Sequence, residues 1–425
     1  CDGPDLLVPR INLACGRHLA CGRRMSADAG RWDATGERRA WRRPARTDAM
    51  RVERISSIGR VDEAAWRALE PPDFPFFDHE FLRALERSGS VGPGTGWSPV
   101  YLIYKEGERV LGALPMYLRT DSYGEYVFDW AWANAYHEHG MPYYPKLVSA
   151  VPFTPATGPK FLLRPDADRR TMTSALLDAA GELGEESRVS SSHALFLPER
   201  DLDEFERRGF AVRHSLQFHW RNRGYGGFQD YLEAMTSKRR RQVARERRQL
   251  YGVEVERLTG DALLPEHAAL MYGFYLDTYD RKWGSPYLTE RFFHEVFQTM
   301  RDRIMLAVAR DEVTGRPVAG SLFFFKGRHL YGRYWGASRD VRNLHFELCY
   351  YQGIEFAIER GMTLFEAGAQ GEHKLARGFL PAITYSAHGI HHPAFRRAIE
   401  NYIAEERRMI SYELAEYMEH DPYKS

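Results

Sequence analysis

The sequence predicts an α+β fold (α/β layered) built twice over, each unit packing helices on a mixed, mainly antiparallel sheet. Three observations carry this. A repeat at an offset of 208 residues lays Val110-Leu-Gly-Ala-Leu-Pro-Met-Tyr-Leu118 over Val318-Ala-Gly-Ser-Leu-Phe-Phe-Phe325. Both copies run in the same order: helix, strand, glycine turn, strand, turn, strand. Hydrophobic residues make up 44% of 425 residues, enough apolar material for more than one core.

The elements follow in chain order. Residues 1–49 hold ten Arg, no Lys and six acids without helical or strand periodicity, so a disordered or non-native extension is expected, with Met50 as the natural start. Cys1, Cys15 and Cys21 fall here without a CxxC pair, which gives no support to zinc. The first unit is expected over 50–222. It has an aromatic helix from Phe76 to Arg87, a strand Val100–Tyr104, the turn Glu106-Gly107-Glu108, the repeat strand, and Tyr123-Gly-Glu-Tyr126 lying over Tyr331-Gly-Arg-Tyr334 as turn and third strand. Helix Thr171–Gly181, strand Ala194–Leu197 and helix Leu202–Arg208 complete it, Gly209 ending the last.

Arg223-Gly-Tyr-Gly-Gly227 reads as a linker. The second unit, 223–410, opens on a basic helix, 237–250, with Ser237 as its N-cap. A helix from Tyr287 to Met300 and a strand Met305–Ala309 follow, then the turn Thr314-Gly315-Arg316 and the repeat strand. Leu344, Leu348, Tyr351, Ile354 and Ile358 recur at spacings of three and four, which predicts an amphipathic helix ended by Gly361. Thr363–Phe365 is a short buried strand, and 411–425 a tail. Two such units leave a cleft between or beside them.

Lys+Arg 59 against Asp+Glu 58 gives a net charge of +1, so no global field favours DNA or an anionic membrane. No run of about 18 apolar residues is present to span a bilayer. With one cysteine, Cys349, in the body, a reducing cytoplasm is the expected location.

Chemistry concentrates in Glu366-Ala-Gly-Ala-Gln-Gly-Glu-His-Lys-Leu-Ala-Arg-Gly-Phe379. Small residues around Gln370, Glu372, His373 and Lys374 let polar groups converge at a strand end. Glu372, Glu366 or His373 would accept an amine proton, and Lys374 would hold developing negative charge. Trp130, Tyr136 and His137, in the aromatic stretch Asp129–His139, are expected to wall the cleft. His137 and His139 lack a third ligand, so no metal is expected. Lys238, Arg239, Arg240 and Arg241, with Arg342, suit a pyrophosphate or tRNA backbone. Gly89–Gly96 follows a helix and precedes a strand, the reverse of a phosphate loop, and reads as a turn. Cys349 has no basic neighbour to activate it, and no G-x-S-x-G is present.

Several segments resemble one bacterial family. Tyr231-Leu-Glu-Ala-Met-Thr-Ser-Lys-Arg-Arg-Arg241, Tyr251-Gly-Val-Glu-Val255, Pro317-Val-Ala-Gly-Ser-Leu322, Tyr334-Trp-Gly-Ala-Ser338 and Gly368-Ala-Gln-Gly-Glu-His-Lys-Leu-Ala-Arg-Gly-Phe379 look like FemAB-type peptidyltransferases. Over 51–410 the chain is most similar to the FemAB-like predicted N-acyltransferases of the peptidoglycan biosynthesis or recognition group. The resemblance implies tandem acetyltransferase (GNAT)-like domains that pass an acyl or aminoacyl group from acyl-CoA or aminoacyl-tRNA to an amine, with no permanently bound cofactor. The acceptor would be a small molecule or a cell-wall precursor, and tRNA a partner. The family's Lys-x-x-x-Gly-Phe falls on Lys374, Gly378 and Phe379, and Tyr334 and Trp335 lie in a matching strand. One departure stands out: Arg339-Asp-Val-Arg-Asn-Leu-His345 lacks the glycines with which acetyl-CoA enzymes cradle pyrophosphate. That leaves a second reading, a non-catalytic peptidoglycan or nucleotide-sugar recognition protein on the same scaffold.

Overall fold

The computed structural model describes residues 50–280, 286–369 and 371–424, and the thirteen strands among these described residues join one mixed sheet. The expectations for residues 1–49 and for Gln370 lie outside those residues. The first half contains β1 (Met50–Ile55), α1 (Glu63–Arg67), α2 (His79–Arg87), β2 (Trp97–Glu106), β3 (Arg109–Arg119), α3 (Trp130–Glu138), β4 (Lys146–Ser149), β5 (Leu162–Leu163), α4 (Arg169–Glu186), β6 (Ser191–Leu197), α5 (Leu202–Glu206) and β7 (Ala211–Arg221). The second contains α6 (Phe228–Ala234), α7 (Ser237–Arg248), β8 (Val253–Thr259), α8 (Pro265–Asp280), α9 (Glu290–Thr299), β9 (Ile304–Asp311), β10 (Pro317–Lys326), β11 (His329–Ala337), α10 (Leu344–Phe346), α11 (Gln352–Glu359), β12 (Leu364–Glu366), β13 (Leu380–Ile390) and α12 (Pro393–Glu419).

The repeat is visible in the strands. β2 pairs with β3 and β9 with β10, both antiparallel, around glycine turns of one hand (Gly107 φ 58°, Gly315 φ 66°). In each half the third strand then runs parallel to the next, β4 beside β6 and β11 beside β12. The repeat's continuation is a correction: Tyr331–Tyr334 lies in β11, but Tyr123–Tyr126 is a turn leading to α3. The first half's third strand is β4, because the α3 segment is inserted before it.

The strand order is β1-β2-β3-β4-β6-β13-β7-β12-β11-β10-β9-β8, with β5 on β3. The last strand of each half therefore inserts into the other: β13 beside β6, β7 beside β12, the two antiparallel at the centre. The sheet crosses the expected 222/223 boundary without a break. One hydrophobic cluster also draws on both halves, where the equivalent helices α2 and α9 meet with Phe81 edge-on to Phe292 at 5.7 Å. Each fully buried Phe contributes roughly 1.5–3 kcal/mol. Buried Asp78 accepts from Lys326 at 2.5 Å across the same junction.

Two termini differ from expectation. Thr236, not Ser237, occupies the N-cap of α7. No tail begins at 411: α12 continues to Glu419, and Tyr423 is buried with its hydroxyl donating to Gly378 O at 2.8 Å. Among the described residues no helix is long and apolar enough to cross a membrane.

Candidate functional site

β11 and β12 pair only through His329–Leu364, Leu330–Phe365 and Tyr331–Glu366. Beyond these pairs the strands part, and the gap opens a cavity of about 500 Å³. Gly332–Trp335 of β11 form one wall and Ala367–Ala369 with Gly371 and His373 the other; Ser321, Thr278, His345, Cys349 and Tyr350 close it. Five of the lining rings belong to Tyr334, Trp335, His345, Tyr350 and His373, and Trp335 meets His345 edge-on at 5.2 Å. No carboxylate is among the described lining residues, while Arg333 is. The cavity therefore suits a ligand with flat rings and electron-rich oxygens.

Lys374 sits beneath this wall, 1% exposed, in the turn Glu372–Arg377. Gly371 makes the turn: its φ is 115°, and a Cβ there would lie 2.5 Å from the His373 ring. Lys374 Nζ donates to Gly368 O at 2.6 Å, and burial pushes its amine down to about 8. His373 Nε2 shares a hydrogen bond with the Tyr350 hydroxyl at 2.8 Å. Burial and the neighbouring Arg377 and Lys374 charges lower the His373 pKa, which favours neutral imidazole near pH 7. Arg377 locks the turn by donating to His373 O at 2.7 Å and to Glu246 of α7 at 2.8 Å.

The other residues singled out from sequence separate. Tyr334 and Trp335 line the cavity. Glu366, expected to serve as base, is 3% exposed, points away to accept Thr157 N–H at 3.1 Å, and has its carboxyl pushed up to about 8 by burial. Glu372 is exposed and faces Tyr417 and Glu413 of α12. Phe379 is core, edge-on to Tyr350 at 5.4 Å and Phe365 at 5.2 Å, so it supports the wall without touching the cavity. Tyr136 is also core, stacked on Phe395 at 3.8 Å, and His137 is exposed on α3. Trp130 stands at the start of α3, outside the lining.

The basic residues likewise stay off the cavity. Lys238, Arg241 and Arg342 are exposed, Arg239 and Arg240 half-buried. Arg339 of the glycine-poor loop is spent on Asp311 at 2.7 Å and Gly252 O at 3.0 Å. Cys349 lines the cavity, but burial pushes its thiol up to about 12, which makes it a poor nucleophile. Among the described residues no group of three His, Cys, Asp or Glu comes together to hold a metal.

Arg333, His345 and Tyr350 were not singled out from sequence. Arg333 had a signal, being the lone charge inside the aromatic run Tyr331–Trp335. A larger cavity, about 790 Å³, lies in the first half around Ser57, Asp62, His79, Arg83 and Glu86. Glu86 there is occupied by Ser57 and Tyr101 hydroxyls, and no residue expected to act in transfer lines it.

Comparison with known proteins agrees with this layout. A family model named FemAB-like, described as peptidoglycan biosynthesis/recognition, matches residues 57–425. Among solved structures, FemX superposes with a TM-score of 0.51 at 12% identity, over 82% of this chain and 100% of that one. A tandem GNAT protein from the clavulanic acid biosynthesis pathway gives 0.42 at 14% identity, over 81% and 99%. L-PGS from Bacillus licheniformis gives 0.47 at 10% identity, over 84% and 98%. No curated protein sequence matches significantly. At 12% identity the FemX likeness speaks for the fold alone, and the tandem character rests on the repeated strand order of the two halves. The family assignment rests on the sequence match, which spans nearly every described residue: the chain belongs to the FemAB-like family of peptidoglycan biosynthesis or recognition.

Proposed function

We propose that the protein is an N-acyltransferase that moves an acyl or aminoacyl group from acyl-CoA or aminoacyl-tRNA to the amine of a cell-wall precursor. The supporting observation is Lys374, a buried amine hydrogen-bonded to the Gly368 carbonyl beneath an aromatic cavity whose described lining holds no carboxylate. The acceptor nitrogen attacks the carbonyl carbon directly; a C–N bond forms and the C–S or C–O bond to the donor breaks. Holding the two partners in one cavity supplies much of the acceleration. Tyr350 takes the amine proton as it passes its own to His373 Nε2, and the same proton returns to the leaving thiolate or alkoxide. The Lys374 ammonium stabilises the tetrahedral oxyanion. Both donor classes are cytoplasmic molecules, which supports a cytoplasmic reaction.

The test is a donor screen by thermal shift followed by turnover. Lys374→Met is expected to lower kcat by roughly 10²–10³-fold, the scale of losing one oxyanion donor. Unchanged turnover in that variant would remove the central residue. The glycine-poor Arg339–His345 loop, with Arg339 tied to Asp311, favours aminoacyl-tRNA over CoA, and a shift with charged tRNA alone is the expected result. Binding of a cell-wall precursor with no transfer from any donor would support the recognition reading instead.

A further inference from the structure

Arg333 reaches the cavity through an irregularity in its own strand. Along the β10–β11 ladder Leu322 faces Tyr334 and Phe323 faces Gly332, so Arg333 is an extra residue with no partner across the strands. Such bulges re-aim side chains beside active sites. This one falls just past Tyr331–Glu366, the last β11–β12 pair, where the cavity opens, and Arg333 lines it. Among the described lining residues it is the single Lys or Arg, and no carboxylate accompanies it.

The guanidinium is held in place but not neutralised. Nη2 donates to Phe153 O, and the cation lies 5.4 Å from the centroid of the Tyr334 ring. Nε is buried without a hydrogen-bond partner, and among the described residues Arg333 makes no ion pair. Glu366 feels its charge, but burial pushes that carboxyl up to about 8, which leaves it mostly protonated at pH 7. The residue that holds Arg333 is itself constrained. Phe153 is buried at φ 58°, donates its N–H to Gly124 O at 3.1 Å, and stacks on Tyr287 with ring centroids 5.1 Å apart. Left-handed backbone at a bulky residue persists only where its surroundings enforce it, and such outliers gather at ligand clamps. A half-buried cation with no anion beside it is costly, and an anionic ligand removes that cost.

We propose that Arg333 is the receptor for a carboxylate on the molecule that fills this cavity, and so decides which ligands the cavity accepts. A carboxylate takes parallel N–H bonds from a guanidinium in one plane and brings one negative charge for one cation. A phosphate monoester brings nearly two charges, and the described lining offers no second Lys or Arg to balance them. Lys374, beneath the wall, keeps its Nζ on Gly368 O. The proposal rests on reading the β11–β12 cavity as the transfer site, and the two fail separately. Carboxylate recognition is read by binding without turnover, whereas the transfer reading falls if Lys374→Met keeps its activity.

Isothermal titration of the full chain with benzoate and with benzamide tests the assignment, because the two probes share a shape and differ in charge. Benzoate is expected to bind at least about 10-fold more tightly, the scale of a charged hydrogen bond. Arg333→Gln keeps an amide N–H for Phe153 O but loses the charge, and is expected to erase the preference. Arg333→Lys keeps the charge and should retain part of it, a comparison that stands even if the glutamine variant folds poorly. Equal affinity for the two probes in the wild type, or no binding of benzoate, overturns the proposal. So does a benzoate preference that survives in a folded Arg333→Gln variant, or phenyl phosphate binding more tightly than benzoate.

Discussion

Lys374 and His373 are adjacent in the chain, yet their environments move them toward opposite ends of the neutral range. Burial brings the Lys374 amine down to about 8, so its cation is present below that pH and lost above it. Burial and two cationic neighbours lower the His373 pKa, so its neutral form is lost only as pH falls below the ordinary histidine value. A proposed mechanism needing neutral His373 and charged Lys374 then gives a bell-shaped profile of kcat/KM, its alkaline limb near pH 8 and its acid limb below about 6.5. His373→Ala is expected to abolish the acid limb and cost roughly 10²–10⁴-fold in rate. Glu366→Gln should leave both limbs in place, because the Glu366 carboxyl is pushed up to about 8 and faces Thr157. The opposite pattern in the two variants would hand the base role to Glu366. The two adjacent residues were legible because small residues surround them after a buried strand. Glu366 misled because a strand's alternation tells which residues share a face, not which face opens on the cavity.

At the scale of elements, one departure from regular helix and one buried acid on a basic helix shape the site. The spacing of Leu344, Leu348, Tyr351, Ile354 and Ile358 predicts one continuous helix, but Glu347–Tyr351 is a π turn. Its extra residue lets Tyr350 face the cavity while Tyr351 stays in the core, a partition a 3.6-residue period does not foresee. The basic helix α7 was read by its cations, and its single acid proves to be the anchored residue. Glu246 is buried and accepts from Arg377 at 2.8 and 3.1 Å and from the Tyr351 hydroxyl. Arg377→Met strips that carboxylate of its ion pair and should destabilise the protein by about 3 kcal/mol in urea unfolding. Adding Glu246→Gln should recover part of the loss, the mark of a coupled pair. Simple additivity of the two changes would show that α7 does not brace the turn that carries Lys374.

For the whole molecule, the duplication was legible and the exchange of strands was not. Repeated turns and apolar runs identify like elements, but an apolar strand carries no label for its neighbour. β7 and β13 have the same pattern whether each closes its own half or the other's. The sheet adopts the second arrangement, with Leu380–His388 paired along His219–Ala211. A fragment of residues 50–222 would lack β13 and β12, leaving β6 paired only with β4 and β7 without either of its own partners. Such bare edges template aggregation. The fragment is therefore expected to be insoluble or without a cooperative melt, although it holds a complete copy of the repeat. Co-expression with residues 223–425 should return a soluble heterodimer, because the two strands can then cross as they do in the intact chain. Size-exclusion chromatography with circular dichroism decides this. A monomeric, cooperatively melting 50–222 fragment would mean that each half can close its own sheet, so that the exchange would be a consequence of linkage in one chain and not a requirement for folding.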